Sequence, residues 1–221
     1  SVMDNGTMTL EHRMTDWRPD RSPGVNKTLA YPVYSVLDQQ RKLLYVSNDA
    51  RCTVEVIDVS TLVPKKIGNY TSCPHIEYNS QAVYDPAGKR VMTAAMHANS
   101  FAIIDVSVPA EPSLSGLLQD ATNGTAQQQI FAGATGCAFD ANRNLAFVAS
   151  EISKIFAVVD VSNSSAPRVI GQVQHPVLAG EAIAYDAARQ SAFVACRKTS
   201  ALVVIDVQVG ARAISCLSSF F

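Results

Sequence analysis

One short element returns four times in this chain and restricts its fold more than any other feature. Val56–Ile57–Asp58–Val59–Ser60, Ile103–Ile104–Asp105–Val106–Ser107 and Val158–Val159–Asp160–Val161–Ser162 are followed by Val203–Val204–Ile205–Asp206–Val207. A second aspartate stands 20 residues before each repeated one, at Asp38, Asp85, Asp140 and Asp186. The steps between copies vary from 46 to 55 residues. Constant internal spacing with variable joints marks a repeated supersecondary unit linked by loops.

Each copy reads as four short strands. The first ends on Leu37, Tyr84, Phe139 or Tyr185, just before the first Asp. Gln39–Gln40–Arg41–Lys42 and Pro86–Ala87–Gly88–Lys89 then supply turn chemistry for a hairpin. The Val/Ile-Asp element is the third strand, rich in the β-branched residues that strands favour. Pro64, Pro112 and Pro167 lead through Gly68, Gly116 and Gly171 into a fourth strand, where an edge position tolerates proline. Unbroken apolar runs such as Phe156–Ala157–Val158–Val159 call for burial on both faces. Four-stranded units stacked around an axis meet that demand. The expected fold is therefore all-β: a β-propeller with four recognisable four-stranded antiparallel blades over 31–221, either complete or part of a larger or inter-chain ring. The repeats fall at about 31–73, 80–120, 134–174 and 180–221, after an N-terminal arm or linker at 1–30 with its polar, turn-rich Asp16–Gly24 stretch.

The repeat resembles the LVIVD-type propeller repeat, whose blades carry an apolar-Asp-Val-Ser element and then a proline. It is also similar to the related repeats of surface-layer propellers. The resemblance covers about 31–221 and implies the propeller fold, with surface or extracellular roles rather than any one chemistry. Copy four departs from it: Gln208–Val209–Gly210 replaces the Ser-to-Pro segment, and Ser215 stands where the other copies have glycine. A terminal or diverged repeat behaves this way.

A net charge of −1 with 17% charged residues gives no case for nucleic acid or an anionic membrane, and no apolar run is long enough to span a bilayer. Asn-x-Ser/Thr occurs at Asn5, Asn26, Asn69, Asn123 and Asn163, more often than composition alone produces and always in an expected loop or the arm. These are the candidate glycosylation sites, and they favour secretion to the extracellular space or cell surface. Of five cysteines, Cys52 and Cys73 are expected to pair, because both reach the same face of blade one with one strand between them. Cys137, Cys196 and Cys216 fall within strands, where a buried thiol is the ordinary state.

The eight repeated aspartates serve every blade alike, so turn capping explains them and catalysis does not. His97 in a strand two–three loop, and His75 and His175 in inter-blade loops, share one face with Glu77, Glu151 and Glu181. They are candidate metal ligands, weighed against the plain alternative that loop histidines on separate blades stay apart. No G-x-S-x-G elbow, P-loop or dinucleotide fingerprint is present. The functional expectation is a non-enzymatic, glycosylated extracellular propeller acting in structure, assembly or adhesion. Its partners would be N-linked glycans and other protein chains, its own copies included, with no cofactor. The alternative is a metal-dependent, lactonase-like propeller hydrolase, or a propeller that binds a ligand on its loop face.

Overall fold

The computed structural model of the chain describes residues 29, 31–49, 51–121, 129–208 and 216–217. Four antiparallel sheets of four strands follow one another. Blade 1 holds β1 (Pro32–Asp38), β2 (Leu43–Asn48), β3 (Thr53–Asp58) and β4 (Lys65–Thr71), and a one-turn helix α1 (Cys73–Ile76) leads out of it. Blade 2 holds β5 (Asn79–Asp85), β6 (Arg90–Ala95), β7 (Ser100–Asp105) and β8 (Ser113–Gln119). Blade 3 holds β9 (Ala134–Asp140), β10 (Leu145–Ser150), β11 (Ile155–Asp160) and β12 (Arg168–Gln174). Blade 4 holds β13 (Ala182–Asp186), β14 (Ser191–Cys196), β15 (Ala201–Asp206) and the two-residue β16 (Cys216–Leu217). The arm expected at 1–30 lies almost wholly outside the described residues.

Alternate residues of each strand face opposite sheets, so every inner blade presents two apolar surfaces. Val54, Val56 and Tyr45 of blade 1 pack on Ala82, Val91 and Ile104 of blade 2. Met92, Phe101 and Ile103 of blade 2 meet Cys137, Ala146 and Val159 of blade 3. Phe147, Phe156 and Val158 of blade 3 meet Ile183, Val194 and Ile205 of blade 4. Among the described residues, no such cluster joins blade 4 to blade 1. The described residues show four propeller-type blades without a contact cluster that closes them into a ring.

Seven of the eight repeated aspartates cap a turn, Asp206 being the exception among the described residues. Asp38 Oδ1 accepts from the backbone N–H of Gln40 and Arg41, and Asp58, Asp105 and Asp160 accept from Ser60, Ser107 and Ser162. Lys42, Lys89, Asn144 and Gln190 close the four hairpins with φ between 48° and 56°, a left-handed conformation that lysine and glutamine rarely adopt. The turn needs it, and the cap on either side enforces it.

In blades 1 to 3 the first aspartate also holds an arginine that reaches the next blade. Arg41 Nε binds Asp38 while Nη1 donates to the Val106 carbonyl at 2.8 Å. Arg90 binds Asp85 and donates to Val161 O. Arg143 binds Asp140 and donates to Val207 O at 2.8 Å. Burial raises the Asp38 and Asp140 carboxyls, but hydrogen bonds from these arginines and from Tyr84 or Tyr185 outweigh it and hold both below the usual carboxylate range. Blades 1 to 3 are thus latched to their successors by one repeated ion pair.

Along the axis, Gln81 of β5 satisfies strand edges that have no ladder partner. Its Oε1 accepts from Ile183 N (2.9 Å) and Cys137 N (3.1 Å), and its Nε2 donates to Ile183 O (2.9 Å). One side-chain amide so ties the inner strands of blades 2, 3 and 4 together.

Candidate functional site

The face carrying the β2–β3-type loops and the blade-to-blade connections divides into two halves. On the blade 3–4 side the carboxylates are already used: Glu151 pairs with Lys198, and Glu181 with Arg197 at 2.6 Å. His175 is exposed there, its Nδ1 accepting from Val177 N. On the blade 1–2 side, none of Asp49, Glu77 and Asp120 is ion-paired among the described residues.

That second half is a cleft of about 560 Å³ lined by His75, Glu77, His97, Asn99, Gln119 and Asp120, among others. Its frame is rigid. The Cys52–Cys73 disulfide (Cα–Cα 4.8 Å) ties α1 to the β2–β3 loop, as the sequence predicts. Ser72 Oγ and Tyr70 OH converge on His75 Nδ1 at 2.9 and 3.2 Å and fix the ring in place. The Glu77 carbonyl accepts from His97 N and Ala98 N, and the Tyr78 ring stacks on His97 at 4.6 Å. Gln119 Nε2 donates to Pro74 O and Ala98 O, closing the far wall.

The charges act on one another. Burial raises the Asp49 carboxyl, His97 lowers it, Glu77 raises it again, and the net displacement is upward. Asp120 is likewise pushed up by burial, against backbone N–H groups of Phe131, Ile130 and Ala132 that favour its ionised form. A carboxylate displaced toward neutrality beside an exposed imidazole is the arrangement that general acid–base chemistry uses.

His75 and His97 therefore line one cleft, as their loops suggest, and His175 does not join them. Among the described residues no group of three His, Cys, Asp or Glu side chains is placed to hold a metal. Asn69 and Asn163 are exposed, each spending its side chain on a local partner, Thr71 or Ser165. Asn5, Asn26 and Asn123 lie outside the described residues. Cys137 and Cys196 are buried, and burial pushes the Cys137 thiol far above its ordinary range. Asp49 and Asp120 were not singled out from the sequence, because neither belongs to a spaced motif; only their convergence with His97 and Glu77 marks them.

The profile of the LVIVD repeat matches residues 94–120 and 143–175, which span the later strands of blades 2 and 3. The chain carries LVIVD repeats. No curated protein sequence matches the chain. Solved structures do. The LVIVD-repeat chain superposes on a protein from Lactobacillus plantarum with a TM-score of 0.70 at 17% identity, covering 85% of itself and 57% of that chain. It superposes on the periplasmic gluconolactonase of Pseudomonas aeruginosa with a TM-score of 0.71 at 12% identity, covering 85% and 53%. A candidate 6-phosphogluconolactonase from Bacteroides uniformis gives 0.64 at 10% identity, covering 87% and 55%. The chain thus spans a little over half the length of the structures it matches. These likenesses establish the fold.

They also correct the expectation of a non-enzymatic structural or adhesive glycoprotein. The matched structures whose descriptions name an activity name a lactonase, and nothing in the comparisons points to glycosylation or adhesion. No helix among the described residues is long and apolar enough to cross a membrane.

Proposed function

We propose that this LVIVD-repeat chain belongs to a lactone-hydrolysing propeller and that the blade 1–2 cleft is its reaction site. The observation that carries the reading is that His97 and Glu77 line a cleft and act electrostatically on Asp49, which has no ion pair among the described residues, in a fold shared with lactonases. Hydrolysis of a ring ester needs a base to take a proton from water as its oxygen attacks the carbonyl carbon. The ring C–O bond then breaks and its oxygen takes a proton back, giving the hydroxy acid. His97 is the base in this reading. Asp49 stabilises the imidazolium that forms, and Glu77 supplies a second negative charge on the same side. Asn99 offers its Nδ2 donor and Gln119 its Oε1 acceptor to substrate hydroxyls, which suits a polyhydroxy lactone, while Asn99 Oδ1 and Gln119 Nε2 hold the wall together. The Cys52–Cys73 disulfide supports a working site outside the reducing cytosol.

The test is proton release on adding glucono-δ-lactone to the purified chain, followed in a pH-stat against the spontaneous rate. Hydrolysis should exceed that rate and fall by roughly 10²-fold or more in His97→Ala. Asp49→Asn should lose most of the activity while keeping the circular dichroism spectrum unchanged. A rate with the chain no faster than buffer alone, over a panel of γ- and δ-lactones, rejects the reading.

A further inference from the structure

Blade 3 offers blade 4 a surface of six residues in two cross-strand rows. Ala138, Phe147 and Val158 are opposite one another across β9, β10 and β11, and Gly136, Ala149 and Phe156 form the row beside them. Blade 4 repeats this surface on its far side. Ala184, Phe193 and Val204 make one row, and Ala182, Ala195 and Leu202 the other. In blade 3 all six but Gly136 belong to the blade 3–4 cluster, whereas Ala182, Ala184, Ala195 and Leu202 are exposed, Leu202 by 53%. The same grid is covered in one blade and largely exposed in the next, where only Phe193 and Val204 are half-buried.

The latch repeats with it. Arg143 binds Asp140 and gives its outer nitrogens to Val207 O and Tyr185 OH of the following blade. Arg189 stands at the matching place in blade 4, loosely paired with Asp186 at 3.5 Å and 76% exposed, and takes no following carbonyl among the described residues. Blade 1 of this chain, or of a second copy, is a poor complement. Where blades 2, 3 and 4 carry Ala102, Ala157 and Val203 on the surface that backs onto a preceding blade, blade 1 carries Glu55, ion-paired with Lys66 at 2.6 Å. Four blades also occupy only 53–57% of the solved chains they match.

We propose that the outer face of blade 4 docks a further blade of this same repeat. That blade has an apolar rear surface, and the carbonyl after its Val/Ile-Asp element receives Arg189. The face is not a self-association surface, and it does not close onto blade 1. Blade 4 itself has the required rear surface, since Ile183, Val194, Val203 and Ile205 already pack on blade 3.

The experiment inserts a second copy of residues 162–207 after Val207 and compares this chain with the parent, each carrying Leu202→Cys in the original blade 4. The insertion should slow N-ethylmaleimide labelling at that position by at least about tenfold, because a buried thiol is shielded. Arg189→Ala should lower the melting temperature of the inserted chain and leave that of the parent unchanged. In the parent, Leu202→Glu should likewise leave the melting temperature unchanged. Equal labelling rates, or a duplicated blade that stays unfolded by circular dichroism, overturn the proposal. So does a parent destabilised by Leu202→Glu, which would mean its own chain already covers the face. A parent dimer dissolved by Leu202→Glu would overturn it too, by making a second copy the occupant.

Discussion

Replacing Arg143 with leucine should weaken the fold far more than the same change at Arg189, although both follow a repeated aspartate by three residues. Arg143 makes three bonds: Nε to Asp140 Oδ2 at 2.6 Å, Nη1 to Val207 O at 2.8 Å and Nη2 to Tyr185 OH at 2.5 Å. Its side chain is 20% exposed and that of Asp140 4%. After the substitution Asp140 still accepts from Tyr185 OH and from the backbone N–H of Asn142 and residue 143, so the carboxylate is not orphaned. The cost therefore lies near the lower end of the 3–5 kcal/mol for a broken buried pair: about 3 kcal/mol, or two charge-assisted bonds at roughly 1.5 each. For a chain of this size that is a fall of roughly 6–12 °C in Tm. Arg189, 76% exposed and 3.5 Å from its partner, is worth at most about 0.5 kcal/mol. Thermal melts by far-UV circular dichroism, with urea midpoints as a second measure, compare the two variants directly. If they fall within about 0.5 kcal/mol of each other, the ion pair does not latch the blades and the reasoning is wrong.

Three further outcomes follow from the same structure. Reducing Cys52–Cys73, or replacing both cysteines with serine, should cost about 3 kcal/mol for a loop of 21 residues; a melting temperature indifferent to reductant would count against that. Hydrogen bonds from the Ser162 hydroxyl and backbone N–H, then Arg168, lower Asp160 to about 2, and Asp38 and Asp140 also lie below their ordinary values. Depressed carboxyls stabilise the native state above the unfolded value of about 4 and lose that contribution as pH falls toward 2, so Tm should hold from neutrality to pH ~5 and drop below ~4. Asp160→Asn should flatten part of that acid limb, and an unchanged limb would assign it to other groups. Gly116→Ala would put a Cβ 2.0 Å from the Ser164 carbonyl oxygen, a backbone clash that should cost about 2–3 kcal/mol in urea unfolding, and a neutral result would show the blade 2–3 joint to be slack.

The repeat alone determined the strands. A constant offset between the two aspartates of each copy leaves room for two hairpins and little else. Apolar runs without alternation force burial on both faces, and that combination leaves few architectures besides stacked blades. The Cys52–Cys73 pair was equally legible, since it depends only on which loops share a face. Lys42 and Lys89 show where local chemistry was silent, because lysine does not announce a left-handed turn; the Asp caps and the hairpin closure impose it.

The site and the open end belong to the tertiary structure. Asp49, Glu77 and His97 come from separate loops, and no spacing rule connects them. Whether a loop carboxylate is spent or available was decided by which cation folded beside it: Lys198 took Glu151 and Arg197 took Glu181, while Asp49 was left to His97. The arginines after Asp38, Asp140 and Asp186 could be read from the sequence, but their role could not, because the carbonyl each one seeks lies on another blade. Local sequence sets strands and turns through short-range sterics and capping. Contacts between blades depend on where each sheet ends up, and only the packed molecule shows that Arg143 has found its carbonyl and Arg189 has not.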